Sequence, residues 1–295
     1  MSLVKKNWAK FRRRILLKER DYVRPSAVAG LFYPSDKVEL DQTVRTLLKK
    51  AKADVKIVVP EKLFGIISPH AGYPYSGYTA AHGYSLLSKG DFETVVVISP
   101  SHREYFDGIS VFSGRAYSTP LGEVEVDHEL RDFFLENAGN IVIESRAGHK
   151  SEHALEVQLP FLQLTIEDFK ILPIVMGDQR PEYCRVLGNI VADMTAKKNV
   201  LVVASSDLSH YYDYETANEI DKVCIDDISR FDPDYFLSDL ETRKCEACGG
   251  GPIASCLYAG KKAGSQNIDI LYHCNSGDTT GDKTGVVGYL SAVIS

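Results

Sequence analysis

Two histidines in this chain each close an apolar run after a Ser-Pro step, in Phe64-Gly-Ile-Ile-Ser-Pro-His70 and in Thr94-Val-Val-Val-Ile-Ser-Pro-Ser-His102. Imidazole is the commonest protein ligand for borderline divalent metals, so two of them in matching settings suggest a metal site. A third run, Asn199-Val-Leu-Val-Val-Ala-Ser-Ser206, leads into Asp207-Leu-Ser-His210. Asp207 could orient His210, hold a ligand histidine through a hydrogen bond, or touch a metal itself. Cys245 and Cys248 form a C-x-x-C pair just ahead of Gly249-Gly-Gly-Pro252. No second pair exists to complete a closed four-ligand zinc site, and the position in the chain does not suit a thioredoxin-like redox pair. Cys248 is therefore the expected functional cysteine, brought into a crowded site by the glycines that follow it. A single histidine of this kind is more often a hydrogen-bonded structural residue. Three similar strand ends favour a site, because binding residues gather on loops held by a rigid sheet.

These groups need a frame that brings them together. Apolar runs of this length, bounded by proline and turn residues, read as strands buried on both faces. Ligands of an open parallel sheet collect beyond the carboxyl ends of its strands. If the two histidine strands are neighbours, both imidazoles enter one cleft. Strands are expected at 64–68, 94–99, 108–113, 171–175 and 200–205, and near 268–272 and 285–293. Helices are expected from Ser35 or Asp36 to about Lys52, after the His70 turn to about Leu87, from Asp127 to about Asn137, over 181–196, from Tyr214 to about Arg230, and over about 253–262. Ser151 with Glu152 supplies a further helix start, continued by Val157, Phe161 and Leu164. His149 and His153 would share a face of that helix if it began early, but Lys150 replaces the glutamate of a zincin motif. His153 with Glu156 is the more interesting pair at this loop. The Gly/Asp segment Asn275–Asp282 reads as a flexible connection by default.

Six cysteines without framework spacing and no preceding signal peptide suggest reduced thiols and a cytoplasmic location. No apolar run approaches the length of a membrane span, so no membrane partner is expected. Within the net charge of −6, residues 1–20 hold eight lysines and arginines against Glu19 alone. Such an arm could bind nucleic acid or an acidic membrane surface, but Trp8, Phe11, Ile15 and Leu16 make an apolar stripe suited to docking. The acidic remainder, with no nucleic-acid module, argues against a nucleic-acid partner, and docking leaves a homo-oligomer open. Strands and helices alternate without a break in composition. The chain reads as a basic arm, 1–23, followed by a single α/β domain, 24–295, of three layers around a mostly parallel sheet.

The pieces His70-Ala-Gly-Tyr, Pro100-Ser-His102, Glu152-His153 with Glu156 and Leu159-Pro160, Ser205-Ser-Asp207 with His210, and Cys248-Gly-Gly-Gly-Pro252 together resemble the Memo family. Ser276-Gly-Asp and Val286-Val-Gly-Tyr289 agree with its prokaryotic members, often labelled as part of an AMMECR-Memo-radical-SAM grouping. The resemblance covers roughly residues 24–295. It implies the fold of class III extradiol dioxygenases, which hold Fe(II) with two histidines and a glutamate. By that resemblance His70 and His102 match the two histidine ligands, and Cys248 stands in place of the carboxylate. His210 matches the acid–base histidine, Asp207 flanks the cleft, and His153 lies close by. A thiolate is a softer ligand, so Fe(II) is the first expectation and zinc or copper the alternatives. The implied function is a mononuclear metal site for redox chemistry on a small molecule. A peptide- or protein-binding cleft with Tyr73, Tyr75 and Tyr78 at its mouth, and a metal-dependent hydrolase with His210 as base, are the competing expectations.

Overall fold

The apolar runs fold as strands whose side chains alternate between two cores. The computed structural model describes residues 20–295, so the basic arm and its Trp8–Leu16 stripe lie outside the described residues. The first half of the chain runs β1 (Val23–Arg24), α1 (Lys37–Asp54), β2 (Gly65–Ser68), α2 (Tyr73–Tyr84), β3 (Thr94–Pro100), β4 (Ile109–Phe112), β5 (Ala116–Thr119), β6 (Gly122–Glu125), α3 (His128–Asn137) and β7 (Val142–Ser145). The second half runs α4 (Leu159–Thr165), β8 (Lys170–Met176), α5 (Pro181–Thr195), β9 (Val200–Ser205), β10 (His210–Tyr212), α6 (Tyr214–Ser229), α7 (Pro233–Glu241), α8 (Gly250–Ala263), β11 (Ile268–Asn275), α9 (Ser276–Thr280) and β12 (Val286–Ile294).

Ile67, Val96, Ile98, Leu172, Ile174, Val202 and Ala204 enter a core shared with α3, α5, α6, α7 and α8. Their neighbours Ile66, Val95, Val97, Ile171, Val175, Leu201 and Val203 enter a second core with α1, α2 and α4. Period-two alternation between two apolar layers is what a sheet covered by helices on both faces requires. The result is a three-layer α/β fold around a nine-stranded sheet. Its centre, β2-β9-β3-β8, is parallel. Its flanks are antiparallel: β12 runs against β2, β10 and β11, and β4 against β8. A separate three-stranded sheet pairs β1 with β5 and β5 with β6.

The strand order matters for the site. The two histidine strands, β2 and β3, are not neighbours, because β9 lies between them and pairs with both. Strands spaced about 4.8 Å apart put the two histidine loops roughly 10 Å apart at their roots. The end of β9, Ser205-Ser206-Asp207, fills the interval. The helix expected from Ser151 does not form. Glu152 instead turns its carboxylate onto the N–H groups of His153 and Ala154, 3.0 Å from each, a local bond that competes with helix formation. A 3₁₀ turn over Glu156–Gln158 precedes α4, where Pro160 sits at a position that needs no N–H. The Asn275–Asp282 segment is not an open loop. Asn275 and Asp278 form a capping box that starts α9.

Candidate metal centre

Three adjacent strand ends and one helix start converge beyond the carboxyl edge of the sheet. His70 follows β2, His102 follows β3, and Asp207 follows β9 between them. Cys248 comes from the segment ahead of α8, pressed against the end of β9. A Cβ on Gly249 would lie 2.2 Å from the Ser205 carbonyl oxygen, so only glycine lets the backbones approach this closely. The Cys248 N–H donates to the Asp207 carbonyl at 3.2 Å. Its Sγ lies 3.2 Å from His70 Nε2 and accepts from the Asp207 N–H at 3.3 Å. One ligand atom each from His70, His102 and Cys248 lies within 4.8 Å of the other two.

Hydrogen bonds decide which ring nitrogen each histidine turns to this point. The Ser205 hydroxyl gives its one proton to the Ala154 carbonyl at 2.7 Å and accepts from Gln158 Nε2 at 2.9 Å. Its remaining contact, His70 Nδ1 at 2.9 Å, must then be an N–H donating to it, which leaves the Nε2 lone pair facing Cys248. His102 donates from Nδ1 to Glu152 Oε1 at 2.9 Å, and its backbone N–H donates to Oε2 at 2.6 Å. Both rings thus use one nitrogen on the protein and keep the other for the centre, the arrangement found in metal-ligating histidines.

The electrostatics agree. Burial, with His102 nearby, holds His70 well below the usual histidine range, so its ring is neutral. Burial and His70 bring His153 down to about 4. Burial alone would raise Glu152, but the His102 hydrogen bond and charge and two backbone N–H groups outweigh it and bring the carboxyl to about 2. Burial pushes Asp207 up, although the His70 N–H donates to it at 2.7 Å. Burial and the adjacent Asp207 push the Cys248 thiol up. Two imidazoles, a thiol and the Asp207 carboxyl at 3.8 Å from His70 Nε2 form a donor set suited to a transition metal. The 3.2 Å N···S spacing is close to the about 3.6 Å that tetrahedral bonds of ~2.1 and ~2.3 Å give.

The structure also separates expected partners. The C-x-x-C pair splits, with Cys245 buried 4.0 Å from Asp227 and Cys248 half-buried at the centre. His153 stacks near His102, ring centroids 4.8 Å apart, and its Nδ1 is buried without a hydrogen-bond partner 3.3 Å from Glu152. Its expected partner Glu156 instead forms a buried ion pair with Arg24. His149 lies in no helix. It accepts from the Tyr117 hydroxyl at 2.6 Å and donates to the Ser110 carbonyl at 3.3 Å, a structural role. His210 donates from Nδ1 to the Leu208 carbonyl at 2.8 Å, leaving Nε2 free. With Cys248 it lines a cleft of about 650 Å³ that Leu208, Leu237 and Leu240 share with Arg180, Arg243 and Glu246. Tyr73 leaves the mouth altogether: it is buried and donates to the Val157 carbonyl at 2.7 Å, while Tyr75 is exposed. Tyr78, half-buried, donates to Asp54 at 3.2 Å. Glu152, Ser205 and Gln158 were not singled out as site residues by spacing or residue type. The one clue was the Glu152 carboxyl beside His153, which must find donors if buried.

Among the described residues, no helix is long and apolar enough to cross a membrane. Comparison with known proteins bears on family and fold. The chain is 42% identical over 275 residues to a MEMO1 family protein of Methanosarcina mazei, covering 92% of this chain and 99% of that one. It is 38% identical over 269 residues to a MEMO1 family protein of Nitrosopumilus maritimus, covering 90% and 98%. The crystal structure of uncharacterized protein JW3007 from Escherichia coli K12 matches with a TM-score of 0.51 at 17% identity, over 79% of this chain and 100% of that one, and supports the fold alone. Residues 24–293 match the Memo-like protein family, and the chain belongs to it.

Proposed function

We propose that this protein holds one transition-metal ion through His70, His102 and Cys248 and uses it for redox chemistry on a small molecule. The observation that carries the reading is the pair of committed Nδ1–H groups, on Ser205 and on Glu152, which turn two imidazole lone pairs toward one thiol. Bound there, the metal would supply a redox centre with a coordination position left for substrate or oxidant. Fe(II) is the first expectation, with zinc or copper favoured by the thiolate. The surrounding side chains divide the remaining work. Asp207 anchors the His70 backbone and presents its second oxygen to the ring. His210 Nε2, held free by the Leu208 carbonyl, takes or gives a proton at the cleft wall. His153, neutral at pH 7, does the same beside His70, ring centroids 5.4 Å apart.

The test is the metal content of anaerobically purified protein, wild type against His102→Ala. Near-stoichiometric iron that disappears in the variant supports the redox reading. Zinc lost in the variant moves the site toward hydrolysis, and absence of metal from both, with no uptake on reconstitution, rejects the metal centre.

A further inference from the structure

The supports of both histidines run through one loop. Glu152 orients His102, and the Ala154 carbonyl and Gln158 amide fix the Ser205 hydroxyl that orients His70. Residues 149–158 therefore set the aim of both imidazoles, although the loop holds no regular helix before Glu156. A loop without its own ladder needs outside partners to hold one shape. One side chain supplies most of them. Arg24, wholly buried at the end of β1, donates from Nε to the His149 carbonyl at 2.8 Å and from Nη2 to the Glu152 carbonyl at 2.6 Å. Its Nη1 pairs with the Glu156 carboxylate. That carboxylate also accepts from the N–H groups of Ala27 and Val28, at 2.8 and 3.1 Å, and from the Tyr33 hydroxyl. The guanidinium lies over the Tyr117 ring, 4.8 Å from its centroid. Three donors in one plane thus pin the loop at residues 149, 152 and 156, a geometry that a lysine ammonium cannot reproduce.

We infer that Arg24 is a positioning residue for both metal-binding histidines, acting through the 149–158 loop; the inference rests on the metal reading above. Arg24 does not touch the centre, and its loss lets the loop move so that both imidazoles lose their shared aim. Removing an outer hydrogen-bond partner of a ligand typically weakens metal binding 10–100-fold, so a partner one step further out is expected to cost about tenfold.

Cobalt(II) titration of the full chain reads the site without turnover, through thiolate-to-metal absorption, ligand-field bands and competition with a chelator. Arg24→Lys is expected to bind cobalt about tenfold more weakly, with altered bands. Arg24→Ala is expected to lose at least as much and to regain affinity in millimolar guanidinium, which leaves wild type and Glu152→Gln unchanged. Wild-type affinity and bands in Arg24→Lys overturn the inference and leave the metal centre standing. Affinity lost only in step with the fold, with no guanidinium rescue, makes Arg24 a packing residue and also overturns it. A wild-type protein that takes up no cobalt rejects the metal reading itself, and this inference with it.

Discussion

His70 and His102 commit the same ring nitrogen to partners of different strength. His102 donates to a buried carboxylate and His70 to a hydroxyl. A charge-assisted partner makes the ring a better electron donor, so Glu152 should matter more than Ser205. Glu152→Gln is expected to lower metal affinity about 10–100-fold, and Ser205→Ala by less, measured by chelator competition. Equal losses would mean that the carboxylate contributes only geometry. The proposed ligand residues stand out in the sequence because each lies at the end of an apolar run or beside a glycine cluster, and those settings are local. The residues that aim them do not. Glu152 lies 50 residues from His102, and Ser205 lies 135 from His70. Nothing in the spacing of a serine or glutamate reveals a partner that only the fold brings near. Glu156 misled for the same reason, since its partner Arg24 lies outside any motif.

At the scale of elements, the carboxyl ends of β2, β9 and β3 act as one ledge, and α8 delivers the thiol to it. The approach depends on Gly249. Gly249→Ala would force a shift against backbone, because the added Cβ meets the Ser205 carbonyl and the Ser206 Cβ, 2.2 and 2.7 Å away. Such overpacking typically costs about 1–3 kcal/mol, and here the displaced neighbour is Cys248. The expected outcome is a cobalt-loaded protein with weakened thiolate-to-metal absorption and a modestly lower melting temperature. Undiminished absorption would show that the Cys248 segment adjusts freely. Most of these elements were readable from apolar runs and caps. Asp36 and Asp127 cap α1 and α3 as their positions suggest, accepting from Val38 and Glu39 and from Leu130. What the pattern hid was neighbourhood. Buried parallel strands look alike in sequence, so the placement of β9 between β2 and β3 follows from packing rather than from any residue. The antiparallel flanks and the short strands β5, β6, β7 and β10 were hidden too, being set by pairing across the chain. Helix α7, capped by Asp232, went unread between two stronger features.

For the whole molecule, one contribution to acid stability comes from a carboxylate placed far from the site. Asp127 caps α3, accepts from the Thr94 hydroxyl of β3 at 2.6 Å and pairs with Lys198 at 3.0 Å, tying three elements together at the amino edge of the sheet. Burial works against its charge, but the hydrogen bonds from Thr94, Leu130 and Lys198 prevail and hold its carboxyl below the ordinary aspartate value of 3.8. A carboxyl depressed in the folded state stabilises the fold above that ordinary value and loses its contribution as pH falls through the folded one. Asp127→Asn is therefore expected to cost about 1 kcal/mol at pH 7, with the gap from wild type closing below about pH 4. Melting temperatures of both proteins from pH 2 to 8 check this, and a gap constant with pH would remove the charge from the account.

The pairing of β12 with β2 has a consequence for timing. Residues 292–294 complete a ladder with residues 65–67, and β12 also carries β10, which begins at His210. Cys248, the site's third donor, precedes β12 by only a few dozen residues. While the protein is being made, the first histidine is therefore finished long before the strand that secures its neighbourhood exists. A nascent chain can offer stray imidazoles and thiols to passing ions, but not this centre. If the centre takes a metal as proposed, an ion that arrives early would meet the wrong partners, and loading would wait until synthesis has passed β12.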